Sequence, residues 1–151
     1  MRLLTLRGMK KLLPAIITVA VAGCSDASSS RAETAARNAL ELAKGVQVMA
    51  QSTTELQNRI VAMGEVDFST FGFSSCTQYH AELALQAAAK AAEYAEQVAR
   101  AQSESMRNFN TLAAEGEKAK AHEAHSAALR CFEDAVNRAE KIYDERAKAG
   151  K

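Results

Sequence analysis

Residues 31–64 read RAETAARNALELAKGVQVMAQSTTELQNRIVAMG, and the spacing of apolar side chains along this stretch decides the fold. Ala32, Ala35, Ala39, Leu42, Val46, Met49, Thr53, Leu56, Ile60 and Met63 follow one another at alternating steps of three and four. Only Thr53 in that series is polar. Such a stripe stays on one side of a helix and wants another helix to cover it, as in a coiled coil. Ser30-Arg31-Ala32-Glu33 fits a capping box, in which serine and glutamate satisfy backbone N–H groups reciprocally. Gly64 suits the position just past a helix carboxyl end. The spacing predicts a helix over 31–63.

The pattern repeats downstream. Residues 64–75 hold two glycines and three of the five phenylalanines, and they read as a loop. Phe68, Phe71 and Phe73 are candidates for anchoring a partner. The alternative use of these rings is to plug the end of a bundle whose alanine seams leave room. Ser75-Cys76-Thr77-Gln78 fits a second capping box, opening a helix over 76–101 with Ala81, Ala84, Ala88, Ala91, Ala95 and Val98 on one face. A third helix over 110–148 carries Leu129, Phe132, Val136, Ala139 and Tyr143 along one side, with Asn108 and Asn110 as cap candidates. Gly116 competes with the polar cluster around Ser103 as the place where the chain turns. Proline occurs only once, near the start, and tryptophan not at all, so alanine-rich helix is favoured nearly everywhere. The class is all-α: a three-helix bundle, or an antiparallel hairpin with a long amino-terminal helix, in coiled-coil-like packing.

Upstream, the chain opens with Arg2, Arg7, Lys10 and Lys11 and then an apolar run from Leu12 to Ala22. Crossing a bilayer takes about twenty apolar residues, roughly twice this run, so it reads as a removable export leader over residues 1–23. Met9, followed by two lysines, offers a second translation start. Val21-Ala22-Gly23-Cys24 resembles the lipobox of bacterial lipoproteins. The resemblance implies a diacylglycerol thioether on Cys24, cleavage just before it and acylation of the new amino end. It also implies a short tether over 24–30 and, with Ser25 in the second place, sorting to the outer membrane, the inner membrane being the alternative. Two or more acyl chains hold a protein stably, at about 0.8 kcal/mol per buried CH₂.

With Cys24 spent on lipid, Cys76 and Cys131 remain as a pair in an oxidising compartment. A hairpin that brings them level turns near Ser103. A turn at Gly116 would leave them roughly 35–40 Å apart at 1.5 Å per helical residue, far beyond the reach of a disulfide. The early turn and a Cys76–Cys131 bond are expected.

Other chemistry is sparse. His122-Glu123-Ala124-His125 sets two imidazoles on neighbouring positions of a helix, half of a metal site, and the reading prefers a solvated face among Lys118, Lys120 and Glu123. No cofactor is expected. Past the leader, fifteen basic residues face eighteen acidic ones, a net charge of −3, which is no nucleic-acid footprint. No phosphate loop or catalytic triad can be singled out, so the domain reads as non-enzymatic. The expected function is a structural or interaction role in the envelope, with another envelope protein or a second copy as partner. Residues 45–64, GVQVMAQSTTELQNRIVAMG, resemble the minor-pilin-like subunits of conjugative type IV secretion systems. That resemblance implies an accessory role in such an apparatus, and exclusion lipoproteins are a related possibility. A metal-binding module built on His122 and His125 is the remaining alternative.

Overall fold

The computed structural model describes residues 27–64 and 68–150. Within them the chain forms three long helices packed against one another: α1 (Ala27–Ala62), α2 (Phe68–Arg100) and α3 (Glu104–Lys148). The architecture is the all-α three-helix bundle that the seams require. The leader, Cys24 and the first residues of the tether lie outside the described residues.

Cross-helix contacts give the registers. At one end, Thr111 Oγ1 donates to the Ser28 carbonyl at 3.2 Å, and Arg31 clasps the Glu115 carboxylate through both Nη2 contacts, 2.8 and 3.0 Å. At the other, Arg146 donates to the Met63 carbonyl. These pairs are separated by 83 or 84 residues throughout, so α1 and α3 run parallel and in step. Between them α2 runs antiparallel to α1, held by Thr53 Oγ1 and Thr77 Oγ1 at 2.6 Å and by Ser74 Oγ donating to Gln57 Oε1 at 2.8 Å.

The core is built of alanine. In α1 the buried line is Ala32, Ala35, Ala39, Ala43, Val46, Ala50, Thr53 and Ile60. Ala43 and Ala50 take the inward positions expected for Leu42 and Met49, which pack half-buried on the flank. Small side chains at the axis let helices approach, and the larger ones then close the sides. In α2 all six expected seam residues are buried, joined by Thr77 and Ala87. The face expected for α3 is corrected in part: Ala139 is buried and Phe132 and Val136 are half-buried, but Leu129 is 42% and Tyr143 38% exposed, and Ala121, Ala124, Ala128 and Ala135 point inward instead. Thr53 is polar yet fully buried, and its hydroxyl is satisfied by Thr77 and by the Ala50 carbonyl at 3.0 Å.

Several expected boundaries move. Ser30 lies inside α1, not at its cap, with Ser29 Oγ bonded to Glu33 Oε1. Gly64, at φ +81°, does stop α1 in the left-handed conformation that suits glycine. The expected loop over 64–75 is much shorter, because α2 already begins at Phe68. Ser75 and Thr77 turn their hydroxyls back onto the carbonyls of Gly72 and Ser74, so the second capping motif serves a helix interior.

The turn between α2 and α3 is at residues 101–103. Ser103 caps α3 by accepting from the Met106 N–H at 3.3 Å, a role expected of Asn108 or Asn110. Gly116 is an ordinary exposed position within α3, and a Cβ there would meet nothing within 4 Å. Gly116→Ala therefore removes backbone freedom from the unfolded chain without a clash. It should stabilise the protein by about 0.5–1 kcal/mol, read as a higher melting temperature.

Candidate functional site

Two features stand out from the packed core. The first is at the end of the bundle where α1 begins. Ser28 and Arg31 of α1 are tied to Thr111 and Glu115 of α3, and the α2–α3 turn lies at the same end. On the adjoining part of α3, Met106 is 54% exposed, and Phe109 and Leu112 are each 64% exposed. Their three-residue spacing puts them side by side along the helix surface. An aliphatic, a thioether and an aromatic side chain thus form an apolar strip beside the entry point of the chain. The strip went unnoticed in the sequence, although the triplet spacing of large apolar residues next to a polar cap was its signal.

The second feature joins α2 to α3. Cys76 and Cys131 are disulfide-bonded, with their α-carbons 6.0 Å apart. The midpoint of the pair in sequence falls beside Ser103, at the turn itself, as the hairpin argument requires. His80 stands one helical turn beyond Cys76. One of its ring nitrogens and the two sulfurs all lie within 4.8 Å of one another. His80 Nδ1 is buried and has no hydrogen-bond partner among the described residues. Its ring meets that of Tyr79 edge-on, with centroids 5.2 Å apart.

The other sequence candidates do not assemble into a site. His122 is exposed, whereas His125 is half-buried and packs over Gly45 of α1, where an added Cβ would come within 3.3 Å of its Nε2. Its place is a helix contact, not the solvated face expected. Among the described residues, no third ligand joins the pair. The side chains of Phe68, Phe71 and Phe73 lie outside the described residues, although α2 includes their backbone. Glu117 is a buried carboxylate neutralised by Lys120 Nζ at 2.6 Å. The hydrogen bond and the negative charge of Glu117 together raise the Lys120 pKa above its ordinary value.

The stripe on α1 is covered within the chain by α2 and α3. No helix among the described residues is long and apolar enough to cross a membrane. By fold, the protein belongs to the class of small all-α bundles, here an alanine-cored one with a disulfide-linked hairpin. Compared with protein families, curated proteins and solved structures, the chain matches none.

Proposed function

We propose that this chain is a lipid-anchored envelope protein facing the periplasm, held in the outer membrane through acylated Cys24, with a non-enzymatic structural or protein-interaction role. The observation that carries the reading is one of position. Helix α1 starts at Ala27, three residues past the lipobox cysteine, at the bundle end that exposes Met106, Phe109 and Leu112. Three residues span at most about 10 Å. An acylated Cys24 therefore brings the apolar strip down to the headgroup level, where such side chains are favourably buried.

The 36 residues of α1 then rise about 54 Å from the bilayer at 1.5 Å per residue. The bundle acts as a rigid spacer that holds its far end out in the periplasm. That end comprises the start of α2, whose sequence is rich in phenylalanine, and the last turns of α3. There the protein meets another envelope protein or a second copy.

Mass spectrometry on protein extracted from membranes tests the reading. The expected amino-terminal peptide begins at Cys24 and carries a diacylglyceryl thioether and an amide-linked acyl chain. A bare Cys24 thiol in an uncut chain overturns the proposal.

A further inference from the structure

We propose that Cys76, His80 and Cys131 form a redox-gated zinc site, empty while the disulfide is closed and binding the ion once it is reduced. The inference is independent of the lipid anchor, since it stands on the packing of α2 against α3.

Cys76 and His80, four residues apart, share one face of α2. Cys131 comes to that face from α3 through the hairpin register already fixed by the turn at Ser103. The three ligand atoms lie within 4.8 Å of one another. Tetrahedral zinc, with Zn–S near 2.3 Å and Zn–N near 2.0–2.1 Å, needs its ligands about 3.6–3.8 Å apart. Opening the disulfide lets the sulfurs move to that separation, and α-carbons 6.0 Å apart leave the side chains room to do so.

Two thiolates and an imidazole are a donor set that selects zinc over hard cations such as magnesium. The two thiolates balance the ion's two positive charges and the neutral imidazole adds none, so the half-enclosed site gains no net charge. Water takes the fourth position, as in other three-ligand zinc centres. His80 Nδ1 supplies the independent observation. A buried ring nitrogen with no partner among the described residues is a polar group whose need is unmet in the disulfide form. Zinc bound at Nδ1 would take up that nitrogen directly.

The chemistry balances with a dithiol as reductant. It delivers two electrons, the Cys76–Cys131 bond breaks, the reductant closes its own disulfide, and two protons end on the freed thiols. Zinc binding then displaces those two protons. A disulfide-bearing oxidant reverses the sequence and expels the ion. The same two sulfurs thus join α2 to α3 either directly or through a metal, never both.

The test uses the full-length protein in detergent, oxidised or reduced with dithiothreitol and freed of it under anaerobic conditions. Zinc ions are titrated against a chromogenic chelator, with magnesium as a control. The reduced protein should take up one zinc per chain, lose two titratable thiols and melt at a higher temperature, while the oxidised protein binds none. His80→Ala, or His80→Gln if the first variant does not fold, should weaken zinc binding at least tenfold, and His122→Ala should leave it unchanged. The proposal fails if reduced protein takes up no zinc, if uptake is the same in both redox states, or if both His80 variants bind as tightly as the parent.

Discussion

Cys24→Ala should leave the protein as an uncut, unacylated precursor that incorporates no labelled palmitate. In cell fractionation the parent protein is expected with the membranes, resistant to salt and released only by detergent. The variant should lose that behaviour because no helix among the described residues is long and apolar enough to take over the anchoring. Each buried CH₂ contributes about 0.8 kcal/mol, so chains of ordinary length together exceed any contribution from three exposed side chains on α3. The apolar run of the leader is about half a membrane span and anchors weakly by itself. Globomycin, which blocks the lipoprotein peptidase, should reproduce the uncut species while leaving the diacylglyceryl group in place. If Cys24→Ala is cut and stays on the membrane like the parent, the proposed role of the thiol is wrong.

The long helices were legible because their signal is redundant. Ten positions of α1 agreed on one face, and an error at any of them would not have moved the helix. What periodicity could not rank was which of two neighbouring apolar residues points to the axis. Leu42 and Met49 look like better core residues than Ala43 and Ala50, yet close packing of three helices reserves the axis for the smaller side chains. The same preference put Leu129 and Tyr143 of α3 outside and its alanines inside.

Capping motifs misled for a different reason. Ser-x-x-Glu and Ser-x-x-Gln can also sit inside a helix, where serine and threonine bond to carbonyls three or four residues back, as Thr34, Ser75 and Thr77 do. The cysteine pair was the most informative long-range signal, because only one turn position makes both residues level. Cys-x-x-x-His puts a sulfur and an imidazole of α2 on one helix face, but that Cys131 of α3 completes the cluster depends on helix packing that no local pattern shows.

Opening the hairpin is the second large effect expected. The double variant Cys76→Ala, Cys131→Ala should lose about 4 kcal/mol of stability, from the loop-closure entropy of a segment with a sequence separation of 55. For a bundle of this size, that corresponds to a melting temperature lower by about 10–20 °C. The number matters here more than in most folds. Domains of this kind have only about 5–15 kcal/mol in hand, and each buried alanine contributes little apolar area compared with leucine or phenylalanine.

Removing both sulfurs avoids leaving a reactive thiol, and alanine suits the helical backbone at both positions, so the loss reports the missing link itself. The Thr53–Thr77 bond lies one residue from Cys76 and keeps α2 registered on α1. The variant should therefore stay helical at low temperature and unfold earlier, with no change in its far-ultraviolet circular dichroism before the transition. A loss under about 1 kcal/mol would mean that the helix packing already restricts the unfolded chain as strongly as the covalent bond does. The stabilising part of the hairpin would then be its alanine seam and not its sulfurs.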